Sequence, residues 1–226
     1  MPDQAITTAT FDCFGTLIDW EGGLGAFLYD MARRNDDEDP GSGQALRERW
    51  EEIQFELVQK SYRRYADILR DSLTEWANER DYRWNEKDGR ALVRAMASWQ
   101  PFPDTVPALR KAKEAGLKLV IVSNSDRAII EHTLRQLDVE FDTVIVAEDV
   151  KAYKPSRAPF ELALNETGER PEQILHVAFG FKYDIGPAKA LGFQTAWVNR
   201  KREPRPGPDE PDYEWDTLWP LADVAG

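Results

Sequence analysis

The chain has 226 residues, of which 42% are hydrophobic and 31% charged. That composition suits a soluble globular protein of one large domain, or a core domain carrying an insertion. Its 29 basic and 41 acidic side chains leave a net charge of −12, which repels phosphate backbones and argues against a nucleic-acid partner; no apolar run approaches the roughly 18–20 residues of a membrane span, so no membrane partner is expected either.

The first element, "AITTATFD" (residues 5–12), is a short β-branched run that ends on an aspartate and reads as a buried strand. Residues 21–98 break away from strand patterning. "GGLGAFLYDMARRN", the long stretch "GQALRERWEEIQFELVQKSYRRYADILRDSLTEWANER" and "EKDGRALVRAMAS" read as several helices, with "NDDEDPGSG" as a polar linker. From residue 99 onward helices and strands alternate. "DTVPALRKAKEAG" is helical, with Asp104 as its cap candidate and Gly116 as its stop. "LKLVIVSN" (117–124) is the second strand and "DRAIIEHTLRQLD" the next helix. "FDTVIVAED" (141–149) is the third strand, followed by the helix "SRAPFELALNETG". "ILHVAFG" (174–180) is the fourth, "DIGPAKALG" a short helix with Pro187 in its first turn, and "FQTAWVN" (193–199) the fifth. "NRKREPRPGPDEPDYEW" reads as a surface loop and "DTLWPLADVAG" as a short closing helix.

Alternation of this kind predicts an α/β fold, a doubly wound parallel Rossmann-like sheet built by residues 1–20 and 99–226. Residues 21–98 form an α-helical cap domain inserted after the first strand. An insertion at that point is expected over the carboxyl ends of the strands, where open α/β sheets bind ligands and where a lid can exclude water.

The strand tips carry the chemistry. The first ends in Asp12, the second in Ser123 and Asn124; Lys151 and Lys154 follow the third, and Asp184 follows the fourth. A carboxylate, a hydroxyl with an amide, an ammonium group and a second carboxylate suit covalent catalysis: Asp12 attacks an electrophilic carbon or phosphorus, and Asp184 orients the water that cleaves the ester. Two histidines, His132 and His176, cannot assemble a histidine-rich metal site, and a serine–histidine–acid reading is weak. His176, inside an apolar strand, reads as structural, and Lys151 as a solvated surface residue. One cysteine, Cys13, precludes an internal disulfide. With no basic-then-apolar signal pattern at the N-terminus, it points to the cytoplasm.

"FDCFGTLID", "VIVSNSD", "YKP" and "YDIGPAKALGFQTAWVNR" resemble, in order, the four motifs of the haloacid dehalogenase superfamily. "PFPDTVPALR", "AED" and "LHVA" fit its 2-haloacid dehalogenase-like (type II) branch. The resemblance spans nearly the whole chain, including the cap. It implies that Asp12 is the nucleophile, Lys154 its positive partner, Thr16 its hydrogen-bond donor and Asp184 the acid of the fourth motif. It also implies that Ser123 and Asn124 bind a substrate carboxylate, with backbone amides near Cys13 and Phe14 completing the anion cradle. Phosphatase members carry a second aspartate two residues after the first and bind magnesium; dehalogenase members carry an aromatic residue there and use no metal. Phe14 therefore favours displacement at the α-carbon of a small anionic 2-haloacid, then hydrolysis of the ester to a 2-hydroxy acid, with no cofactor. Magnesium held by Asp12 and Asp184 is the less favoured alternative. A homodimer fits the resemblance.

Two departures stand out. Phe179 and Phe181 occupy positions where relatives carry polar residues, and Glu51 stands where L-2-haloacid dehalogenases place a cap arginine. Arg47 or Arg49 would replace that arginine only in a shifted register, and Trp20, Trp50 and Trp99 are candidates for an aromatic halide cradle. The departures keep open a binding protein of this fold with impaired hydrolysis; a phosphatase or phosphonate hydrolase of the same fold, which Phe14 opposes, is the other alternative.

Overall fold

A computed structural model describes residues 5–225. They form two compact units: one comprises the chain up to Ile18, Pro101–Asn124 and Leu137 onward, the other Asp19–Gln100 with Ser125–Gln136.

The first unit is built on six strands: β1 (Thr8–Phe11), β2 (Lys118–Ser123), β3 (Thr143–Val146), β4 (Ile174–Ala178), β5 (Gln194–Val198) and β6 (Tyr213–Trp215). They form one sheet in the order β3-β2-β1-β4-β5-β6, every pair parallel. The β1 and β4 residues are buried throughout, as expected for parallel strands covered on both faces. Chain order runs outward from β1 through β2 to β3, then returns to the other side of β1 for β4. That reversal makes the carboxyl end of β1 the topological switch point, the place where open α/β sheets bind ligands. Val120, Val122, Ile145, Phe160, Ala163, Ile174, Ala188 and Phe193 pack as one apolar cluster of this unit.

The second unit is helical: α1 (Trp20–Arg34), α2 (Gly43–Val58), α3 (Tyr65–Asn78), α4 (Glu86–Met96) and, from the 125–136 segment, α6 (Arg127–Leu137). Its core holds Leu24, Leu28, Trp50, Ile53, Leu69, Leu73, Trp76 and Leu92, all nearly or fully buried. Arg64, ahead of α3, makes no side-chain cap. Asp126 does that work instead, accepting from the amides of Tyr65 and Ala66 at 2.8 Å each, where helical N–H groups otherwise lack partners.

Several elements differ from the sequence reading. The third strand is only four residues long, because Ala147–Val150 turns into a one-turn helix, α7. Asp104 occupies the cap position of α5 (Thr105–Glu114) without a side-chain bond to the helix; its carboxylate serves Arg200 and the Leu218 amide instead. Beyond α8 (Ala158–Thr167), the segment after β4 is a π-helical turn, Phe181–Ile185, before the short α9 (Gly186–Ala190). "NRKREPRPGPDEPDYEW" is not loop throughout, since its last three residues pair with β5 as β6. A three-residue edge strand leaves little period-two signal to read.

Candidate active site

Asp12 is the first residue after β1, and its amide donates to Val177 O at 3.1 Å, so β4 holds it as an extension of the sheet. The turn that follows is tight. Leu17 and Ile18 amides both donate to Cys13 O, and Gly15 adopts φ +98°, which favours glycine. The turn places Thr16 so that its hydroxyl donates to Asp12 Oδ2 at 2.8 Å, while accepting from the Phe179 amide at 2.8 Å. Two contacts clamp the turn from behind. Arg200 Nη2 donates to Thr16 O at 3.0 Å, while its Nη1 reaches both oxygens of Asp104 at 3.0 Å; Thr105 Oγ1 donates to Leu17 O at 2.8 Å.

Lys154 lies beside Asp12 with only 1% of its surface exposed. An ammonium group has three hydrogens, and here it finds three acceptors: Asp12 Oδ1 at 2.9 Å, Asp184 Oδ1 at 2.6 Å and Val122 O at 2.9 Å. Asn124 fixes the lysine's backbone, accepting from Lys154 N at 2.7 Å and donating to Lys154 O at 3.1 Å. Among the described residues, Ser123 Oγ is buried with no hydrogen-bond partner, an open polar group at the tip of β2.

Charge follows from this geometry. Burial pushes the Asp12 carboxyl above its ordinary range, and Lys154 only partly opposes that. For Lys154, burial works against the charge, but Asp12 and Asp184 outweigh it and hold the ammonium above the usual lysine value. Burial also acts against Asp184; Lys154 and then the His176 hydrogen bond outweigh it, and its carboxyl sits below the usual range. Asp12 is thus the more basic of two carboxylates that share one cation, which suits a nucleophile.

The structure brings Asp12, Thr16, Ser123, Asn124, Lys154 and Asp184 together in the sheet unit. Phe14 is half-buried in the turn. Cys13 is fully buried, and burial pushes its thiol well above the ordinary value. Trp50 lies in the helical unit, buried, its ring 6.5 Å from that of Trp20. Neither neighbouring arginine is a free cation. Arg47 is buried and paired with Glu51 and, at 2.9 Å, with Glu21; Arg49 pairs with Glu79 and Glu52. Phe181 packs edge-on against Trp197 at 5.1 Å within a small buried cluster.

The set does not suit a divalent ion: the Lys154 ammonium already stands between the two carboxylates. Among the described residues no three or more His, Cys, Asp or Glu side chains gather as a metal site, and no helix is long and apolar enough to cross a membrane.

His176, read from the sequence as structural, reaches the cluster, a contact the sequence reading did not foresee. It is fully buried, with Nε2 3.0 Å from Asp184 Oδ1 and Nδ1 2.8 Å from Thr10 Oγ1. A signal was present: Thr8, Thr10 and Asp12 alternate along β1, so their side chains leave one face of the strand, and polar residues in a buried strand call for polar neighbours.

A family model described as haloacid dehalogenase-like hydrolase matches residues 6–192. The chain belongs to that family. Among its relatives, (S)-2-haloacid dehalogenase 4A of Burkholderia cepacia is 28% identical, covering 96% of this chain and 95% of that protein. Haloacetate dehalogenase H-2 of Moraxella sp. (strain B) is 27% identical over 87% of each chain. The crystal structure of an L-2-haloacid dehalogenase superposes with a TM-score of 0.83 at 27% identity, covering 97% of this chain and 98% of that one. This haloacid dehalogenase-like hydrolase is therefore an enzyme of the α/β class with the doubly wound sheet of its family.

Proposed function

We propose that this enzyme hydrolyses a small 2-haloacid to the 2-hydroxy acid through an ester on Asp12. A carboxylate oxygen of Asp12 attacks the α-carbon, a carbon–oxygen bond forms and the halide leaves with the bonding pair. Water then adds to the Asp12 carboxyl carbon and gives one proton to Asp184; the tetrahedral carbon expels the product oxygen, which takes water's second proton as the Asp12 carboxylate reforms, and Asp184 then releases its proton to solvent. The observation that carries the reading is the pair Asp12 and Phe14. Asp12 is oriented at both oxygens by Lys154 and Thr16, and an aromatic ring stands two residues on, where protonating an alkoxide leaving group would need an acid. Halide needs no such proton. The names of the relatives support the same substrate class, and the orphan Ser123 hydroxyl supplies a donor for the substrate carboxylate.

The test is halide release from each enantiomer of 2-chloropropionate, from bromoacetate and from fluoroacetate, with and without EDTA, beside a panel of phosphate esters. Halide release that persists in EDTA and falls to background in Asp12→Asn is expected. Release that survives the substitution removes Asp12 as nucleophile; magnesium-dependent phosphate release would favour the phosphatase reading. A single turnover in 18O-labelled water is expected to put the label in the peptide carrying Asp12 and not in the product, because water attacks the carboxyl carbon.

A further inference from the structure

A polar column runs beneath the site through the sheet. Thr10 on β1 and His176 on β4 are cross-strand partners. The His176 ring is fully buried and meets Phe160 edge-on at 5.1 Å, so its two nitrogens have only protein to bond to. Nε2 faces Asp184 Oδ1 at 3.0 Å and Nδ1 faces Thr10 Oγ1 at 2.8 Å. A carboxylate oxygen only accepts, so Nε2 carries a hydrogen; a hydroxyl can donate, so Thr10 satisfies Nδ1 in the neutral ring.

The consequence falls on Asp184. Both His176 and Lys154 donate to the same oxygen, Oδ1. The other, Oδ2, points past Gly180: a Cβ built there would lie 2.5 Å from it. One oxygen is doubly held and the other faces bare backbone. We propose that His176 is a positioning residue of the hydrolytic half-reaction: by pinning Oδ1 it fixes the Asp184 carboxylate so that Oδ2 is the oxygen presented to water. This rests on the ester mechanism above and deepens it. It also answers what replaces the polar side chains absent at Phe179 and Phe181, because the base is oriented from below, through the sheet, and not from its own loop. In ester formation Asp184 takes no proton, so His176 is needed only in the second step.

The test separates the two steps. His176→Phe keeps the ring packing and removes the donor. It is expected to form the Asp12 ester from 2-chloropropionate within roughly threefold of the wild-type rate and to hydrolyse it on the order of 100-fold more slowly, the cost of a misplaced catalytic group, so the ester accumulates in intact-protein mass spectra. His176→Gln, whose amide nitrogen reaches the Nε2 position, is expected to recover most of the hydrolysis; His176→Asn, which reaches only the Nδ1 position, is not. In the resting wild-type enzyme, long-range 1H–15N correlations are expected to show hydrogen on Nε2, with a shift that moves in Asp184→Asn. Wild-type turnover in His176→Phe, equal rescue by Gln and Asn, or hydrogen on Nδ1 alone would overturn the proposal. A wild-type enzyme that releases no halide from any haloacid removes the dehalogenase reading instead, and the nitrogen spectra still decide whether His176 holds Asp184.

Discussion

Two carboxylates and one ammonium group, all buried, leave the Asp12–Lys154–Asp184 cluster one negative charge in excess, and the excess settles on Asp12. Its folded-state pKa is raised, so ionising it costs the folded protein stability. The sign runs opposite to that of Asp184. The depressed pKa of Asp184 contributes stability that is present above the ordinary carboxylate value near 3.8 and is lost as pH falls through the lower folded value. For Asp12, stability relative to the unfolded chain declines as pH rises from 3.8 to the raised folded value, then levels off. Asp12→Asn is therefore expected to be at least as stable as wild type at pH 7, with an advantage that shrinks as pH falls toward 3.8. Urea melts between pH 3 and 7 measure this, and an advantage that grows toward acid would contradict the assignment. Lys154→Met runs the other way: it strands two facing carboxylates and should cost about 3–5 kcal/mol at neutral pH, less in acid. Asp12, Lys154 and Asp184 were legible in the sequence because each follows an apolar strand. The sharing of one cation was not, because it depends on how β2 and β4 flank β1, a contact spread over more than 140 residues of chain.

At the scale of elements, two short segments set the geometry. The turn after Asp12 is held by Arg200, whose side chain bonds Asp104 twice and Thr16 O once and lies 3.9 Å over the Phe102 ring. Lysine keeps the charge but cannot make that fork. Arg200→Lys is expected to lose about 3 kcal/mol and to lower kcat more than it raises KM, because the turn orients Thr16 on the nucleophile. The π-helical turn after β4 is the second. Gly180 has φ −72°, open to any residue, so Gly180→Ala strains no backbone; its methyl would lie 2.5 Å from Asp184 Oδ2, with Tyr183 Cβ at an ordinary 3.6 Å. Hydrolysis on the order of 100-fold slower with little change in Tm is expected, and normal turnover would show that Asp184 has room to shift. The strands and most helices were legible from period and composition. The π-turn was not, because "FGFKYD" lacks helical spacing and owes its shape to Asp184 reaching back to Lys154 and His176. Asp104 misled for a related reason: it carries the sequence mark of a cap, but Arg200, almost a hundred residues away, is the stronger partner.

Over the whole molecule the charge is −12, and the nucleophile cluster adds no positive excess of its own, since Lys154 spends all three hydrogens inside it. Arg47 and Arg49 are likewise paired with carboxylates. The 2-haloacid proposed as substrate carries a negative charge, so the protein's net field opposes its approach, and on that reading binding rests on short-range donors such as the Ser123 hydroxyl. Long-range repulsion is screened over about 10 Å at 0.1 M salt, whereas a buried hydrogen bond is hardly screened. Raising ionic strength from 10 to 150 mM with sodium sulfate, which adds no product halide, is therefore expected to increase kcat/KM for 2-chloropropionate by about twofold while leaving kcat unchanged. An enzyme that steered its substrate with a positive funnel would show the opposite slope. A fall in kcat/KM with salt would mean that cationic side chains elsewhere in the chain converge on the substrate's path and overcome the net charge.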